Sequence, residues 1–84
     1  MNSSRQALAR AWADAIHTRR AAMEAREGLT QAKLARELGV TPVTVWRWEH
    51  AEGVPSQAMQ AKLVRTLGID PKTLYDLVTG ADAA

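Results

Sequence analysis

The chain has 84 residues, which is enough for one small domain with its own core. It has no cysteine, which excludes disulfide frameworks and thiolate metal sites. With no apolar run of membrane-spanning length and no signal-peptide core, the sequence predicts a cytoplasmic protein. The net charge is only +2, but eight Lys and Arg against five Asp and Glu fall in residues 1–50, and three against four fall in residues 51–84. This surplus of positive charge in the first half indicates a surface that meets phosphates.

The first predicted helix runs from about Gln6 to Arg26 and ends before Gly28. Ser3, with Gln6 three residues later, fits a capping box. Helical spacing places one apolar side on this helix, formed by Leu8, Trp12, Ile16 and Met23 and filled by Ala9, Ala15 and Ala22.

The residues from Thr30 to Glu49 predict two short helices joined by a tight turn. Thr30 caps the first helix, and Thr41, followed by Pro42, caps and opens the second. Gly39 ends the first helix because glycine takes the left-handed conformation there without a Cβ penalty. A shared core for the two helices is predicted from Leu34, Ala35, Leu38, Val40, Val45 and Trp48.

After a loop from His50 to Pro55, two further helices are predicted. The fourth, from about Gln57 to Leu67, is expected to bury Met59, Leu63 and Leu67. The fifth begins with Asp70 as its cap and Pro71 at its first position, and it is expected to bury Leu74, Leu77 and Val78. Residues 79–84 are expected to form a flexible tail. The sequence thus predicts a single all-α domain over residues 1–84, with its helix-turn-helix motif at about 30–49.

This pattern resembles the phage-repressor and Cro-like (XRE-type) helix-turn-helix family over roughly residues 16–78. The matching positions are Gln31, Ala35, Gly39-Val40, Val45 and Glu49. The resemblance implies an all-α, five-helix lambda-repressor-like helix-turn-helix domain, here with an extended first helix. It also implies a sequence-specific double-stranded DNA-binding transcriptional regulator that works without a cofactor, as a homodimer, in a bacterial or phage-infected host cell.

In such motifs the N-terminal part of the second helix meets base edges in the major groove. At about 100° per residue, the residues that share the outward face of this helix are Pro42, Val43, Trp46, Arg47 and His50. The resemblance implies base reading at Pro42, Val43 and Arg47, and we add Trp46 as a further base-contact candidate. Contacts to the DNA backbone are expected from Gln31, Lys33, Thr41, Thr44 and His50.

The chemistry of these side chains sets what they can read. Arg47 can bridge O6 and N7 of a guanine, whereas Val43 and Pro42 offer only apolar contact, as to a thymine methyl. Trp46 exposes a large apolar area, which is typical of a contact surface. Gln31 and Lys33 stand at the start of a helix, whose free N–H groups and positive dipole end attract phosphate.

One position departs from the family pattern. Family members often place an arginine where this chain has Glu24, and that arginine faces the position of Glu49. The sequence therefore predicts another partner for Glu49, either Arg20 or Arg47. Arg19, Arg20 and Lys62 are also candidates for additional backbone contacts.

Other functions have weaker support in the sequence. His17 and His50 lie on separate elements, and no metal-ligand spacing or Gly-rich phosphate loop occurs, so an enzyme is not predicted. An excisionase-like protein would continue into a strand-built wing, where this chain predicts helices. An antitoxin-like module would bind a protein partner through Leu8, Trp12 and Ile16, and the same stripe would equally serve a homodimer or the domain's own core.

Overall fold

The computed structural model describes residues 3–75, with side chains described from residue 5 onward. All the regular elements in this part are helices, as the sequence predicts. They are α1 (Ser3–Glu27), α2 (Gln31–Leu38), α3 (Pro42–Glu49), α4 (Gln57–Leu67) and a helical segment at residues 71–75, named α5. In the described part no helix is long and apolar enough to cross a membrane.

Helix α1 is longer than predicted and supplies one wall of the core. It already includes Ser3, so it begins before the predicted start, and the side chain of Ser3, on which the capping box depends, lies outside the described side chains. Trp12 and Ile16 are buried in the core, with Leu8 packed against it. The predicted filling by Ala22 is wrong because Ala22 lies on the exposed side of α1.

Helix α2 begins and ends, and helix α3 begins, where the capping residues predict. The Thr30 hydroxyl accepts a hydrogen bond from the N–H of Lys33, and that of Thr41 accepts one from the N–H of Thr44. Gly39 ends α2 with φ of 76°, a left-handed value that disfavours any residue with a Cβ. The core is built from Leu34, Ala35, Leu38, Val45, Trp48 and their partners on α1 and α4.

Helices α4 and α5 close the core on the far side. Leu63 and Leu67 are buried as predicted, whereas Met59 and Leu74 are only half-buried against the cluster. The Asp70 carboxylate accepts a hydrogen bond from the N–H of Lys72, so Asp70 caps α5. The predicted burial of Leu77 and Val78 and the predicted tail at residues 79–84 lie outside the described residues.

Candidate nucleic-acid interface

Helix α3 has two faces of opposite character. On the inner face Val45 is fully buried and Trp48 is buried, both in the common core. On the outer face Val43 is 57% exposed and Trp46 is 41% exposed, and Pro42 and Arg47 beside them are also exposed. These four are the predicted base-contact residues, and the structure brings them together on one surface, which we call the outer face of α3.

Trp46 is held in place by His50 one turn further along α3. The indole and imidazole rings stack with their centroids 3.9 Å apart and their planes 20° apart. The Nδ1 atom of His50 also lies 2.8 Å from the carbonyl oxygen of Trp46. The stack therefore presents a large apolar area at a fixed orientation on the outer face.

Thr41 and Thr44 stand at the start of the outer face. The Thr41 hydroxyl accepts from the Thr44 N–H, and the two hydroxyl oxygens lie 3.0 Å apart. One of the two hydroxyl protons is shared within the pair, so the other is available for an acceptor outside the protein. A phosphate oxygen is such an acceptor.

The inner face ends in a buried ion pair that joins α3 to α1. Nε of Arg20 donates to Oε2 of Glu49 at 2.5 Å, and Nη2 donates to Oε1 at 3.1 Å. The side chain of Glu49 is 1% exposed and that of Arg20 is 7% exposed. This two-point contact fixes the end of α3 against α1.

Two other groups of α1 complete this cluster, and with Arg20 and Glu49 they form what we call the α1–α3 junction. Nη1 of Arg20 donates to Glu24 at 2.6 Å and to the carbonyl oxygen of Leu29 at 3.1 Å. Nδ1 of His17 lies 2.8 Å from Oε1 of Glu49 and donates to it, because a carboxylate only accepts. Arg20 is thus the partner of Glu49, which confirms one of the two predicted partners.

The junction shifts the pKa of both partners. Burial on its own would raise the pKa of Glu49, but hydrogen bonds from Arg20 and His17, the charge of Arg20 and a smaller contribution from Gln31 bring it below its ordinary value. The pKa of Arg20 is raised by its hydrogen bond to Glu49, against the effect of burial. Glu49 is therefore charged and paired with Arg20, and the exposed Arg47 on the opposite face is not its partner.

Gln31 and Lys33, two of the predicted backbone-contact residues, lie on different sides of α2. Gln31, half-buried at the start of α2, lies beside Glu49 and hence near the end of α3. Lys33 is two residues along α2, about 160° away around the helix. Its Nζ lies beside Gly28, 3.7 Å from where a Cβ would stand, in a groove that Glu27 also lines. The Lys33 ammonium group thus lies on a different side of α2 from Gln31, and its contact with the DNA backbone stays a prediction.

Three residues have structural roles that the sequence did not predict. Arg20 is buried in the junction, which is why its predicted contact with the DNA backbone is wrong. Nε of the exposed Arg19 donates to the carbonyl oxygen of Leu67, and its backbone contact stays a prediction. Ala51 has φ of 57° and ends α3 in a left-handed conformation, with the N–H of Glu52 bonded to the carbonyl oxygen of Arg47 at 2.8 Å. The i, i+4 spacing of Trp46 and His50 was the available signal for their stack.

A capped helix, a left-handed glycine turn and a second helix with an exposed outer face define a DNA-binding helix-turn-helix domain. The sequence model of the family described as helix-turn-helix matches residues 20–74, well over half of the chain. The chain belongs to this family, in its phage-repressor and Cro-like (XRE-type) form. No curated protein and no solved structure gives a significant match. Residues 3–19 of α1 lie outside the matched range.

Proposed function

We propose that this protein is a sequence-specific transcriptional regulator of the repressor or Cro type, which reads the major groove of double-stranded DNA with α3. The observation that carries this proposal is the outer face of α3, where Val43 and Trp46 expose apolar side chains next to Arg47. A helix that is held by the α1–α3 junction on one side and exposes such side chains on the other is built for contact with a partner surface.

The side chains of the outer face fit contacts to guanine and to thymine. Arg47 offers a planar set of N–H donors that fits O6 and N7 of one guanine. Val43 and Pro42 have no side-chain donor or acceptor, so they favour the methyl group of thymine over a polar base edge. Trp46, held by its stack on His50, covers the base step or sugar beside them.

Backbone contacts at both ends of α3 would set its register in the groove. Thr41 and Thr44 together have one hydroxyl proton to donate to a phosphate. Gln31 stands at the N-terminus of α2, where unpaired N–H groups attract an anion, and His50 stands at the C-terminal end of α3. Lys33, in the first turn of α2, remains a proposed backbone contact, with its ammonium group beside Gly28 in the free protein.

Regulators of this kind bind as symmetric pairs, and we propose a homodimer on two half-sites about one helical turn, or roughly 34 Å, apart. We place it in the cytoplasm of a bacterial or phage-infected host cell, where such operators lie.

The alternatives have less support. An antitoxin-like contact through Leu8, Trp12 and Ile16 conflicts with the burial of Trp12 and Ile16 in the domain's own core. An excisionase-like protein would need a strand-built wing after the motif, whereas residues 57–67 form α4.

A selection from a random duplex pool at near-physiological salt, followed by sequencing, tests the proposal. A two-fold-symmetric consensus with guanine and thymine in each half-site supports specific reading by a dimer. An asymmetric, single half-site motif would overturn the homodimer but not the reading by α3. A pool with no enrichment would overturn the proposed function.

A further inference from the structure

His50 has only one ring nitrogen left for a ligand. Nδ1 lies 2.8 Å from the carbonyl oxygen of Trp46, and because a carbonyl only accepts, Nδ1 holds a hydrogen and donates it. The stack on the indole fixes the plane of the ring. The side chain is exposed, so Nε2 is the nitrogen that remains for contact with DNA.

The charge of the ring decides what Nε2 can bind. In the neutral ring Nδ1 holds the only hydrogen, so Nε2 has a lone pair and can only accept. A phosphodiester oxygen also only accepts, so the neutral ring of His50 offers it no hydrogen bond. The protonated ring donates from both nitrogens and adds a positive charge, which makes the contact possible.

We propose that DNA binding by this domain is coupled to the uptake of one proton by His50, whose imidazolium Nε2 then donates to a phosphate oxygen. This inference rests on the proposed function, since it assumes that α3 faces the DNA. The ring lies at the C-terminal end of α3 and stacks on the indole of Trp46, which fixes the direction of Nε2 relative to the outer face.

The charged groups around this end of α3 come from three elements. On α3 itself, Arg47 is exposed and of the same sign as the imidazolium. In the following loop Glu52 is of opposite sign, and Arg5 of α1 lines a cavity with it. The Glu49 carboxylate is already paired with Arg20 and hydrogen-bonded by His17, and Glu24 is the second carboxylate that Arg20 binds.

The sign of the pH dependence separates this contact from a base contact. Imidazole side chains change charge between roughly pH 5 and 8. If Nε2 binds phosphate, the bound state favours the proton, so affinity is highest at acid pH and falls as the pH rises. If the neutral Nε2 accepts from a base amino group, the dependence has the opposite sign.

The test measures the dissociation constant by fluorescence anisotropy from pH 5.5 to 8.5 at constant ionic strength. The probes are the selected duplex and a 24-base-pair duplex without the consensus. We expect affinity for both to fall roughly tenfold with rising pH, since a charge-assisted hydrogen bond is lost. His50→Gln should flatten this profile because an amide donates at every pH.

His17 is the only other histidine, and it supplies the matched control. His17→Gln keeps a donor for Glu49 and should retain the wild-type slope. A flat wild-type profile, a rising one, or a slope that survives in His50→Gln would overturn the proton-linked contact while leaving DNA binding intact. Absence of binding at any pH would overturn the proposed function and this inference together.

Discussion

The two faces of α3 differ in how their side chains find partners. On the inner face Val45 and Trp48 are packed in the core, and the Glu49 carboxylate is bonded to Arg20 and His17. On the outer face Val43 and Trp46 keep large exposed areas. The family match includes both faces, but only the inner one is explained by the fold of this chain.

This difference separates stability from recognition. Removing an inner-face partner leaves a cavity or an unpaired buried charge and lowers the free energy of unfolding. Removing an outer-face side chain leaves the fold nearly unchanged, because exposed substitutions usually cost less than about 0.5 kcal/mol. The same helix therefore predicts two classes of variant, one that fails to fold and one that fails to bind.

The largest effect is expected at the α1–α3 junction. Arg20→Ala leaves the Glu49 carboxylate buried without its cationic partner, so the free energy of unfolding should fall by about 3–5 kcal/mol. Urea unfolding followed by tryptophan fluorescence measures it. Arg10→Ala removes an exposed arginine from the same helix and should cost less than about 0.5 kcal/mol. Equal costs for the two variants would show that the junction does not hold α3 in place.

A smaller loss of stability is expected on acidification. The pKa of Glu49 is lower in the folded protein than its ordinary value of 4.5. Its contribution is therefore complete above about pH 4.5 and is lost as the pH falls through the folded pKa. Glu49→Gln should be less stable than the wild type at pH 7, and the difference should shrink toward acid pH in urea unfolding. A constant difference from pH 7 to pH 3 would contradict this role of Glu49.

On the outer face, Arg47→Ala should change specificity and not stability. The loss of one bidentate contact is expected to reduce discrimination at a single base pair by about 1–3 kcal/mol. The free energy of unfolding should change by less than about 0.5 kcal/mol. Binding to duplexes that differ at each position measures this. Arg36→Ala, an exposed arginine on α2 that lines the groove with Lys33, is the matched control and should leave discrimination unchanged. A uniform loss on all duplexes would make Arg47 a phosphate contact.

The smallest effect concerns the residue that ends α3, beyond both faces. Ala51 has φ of 57°, where a Cβ is unfavourable, so Ala51→Gly should stabilise the protein by roughly 1 kcal/mol. Ala25→Gly, at an exposed position within α1, should have the opposite sign and a similar size. Thermal unfolding of the two variants measures both changes in stability. Destabilisation by Ala51→Gly would mean that the end of α3 is not strained.

The motif was predictable because its signals are local. Thr30, Gly39, Thr41 and Pro42 each act on backbone within four residues. Helix α2 begins and ends, and α3 begins, where these residues predict. The apolar spacing likewise predicted the two faces of α3, since exposure follows from rotation about one helix axis.

The junction was only partly predictable because it depends on how separate helices meet. Arg20 was one of two candidate partners for Glu49, and the sequence gives no measure of which arginine α1 turns toward α3. The sequence left open whether the apolar side chains of α1 face a partner or the domain's own core. Trp12 and Ile16 are buried in the core, and this burial also depends on packing against other helices. The left-handed Ala51 was missed because alanine gives no signal for that conformation.

The three tryptophans allow one direct test of the two-face account. Trp12 and Trp48 are buried in the core, and Trp46 stands on the outer face. In nitrogen-15-labelled protein each gives one indole N–H signal, and these are followed while the selected duplex is added. We expect a large shift of the Trp46 indole signal and small shifts of the Trp12 and Trp48 signals. An unchanged Trp46 signal together with a large shift of the Trp12 signal would contradict binding through the outer face of α3. That result would place the binding surface on α1.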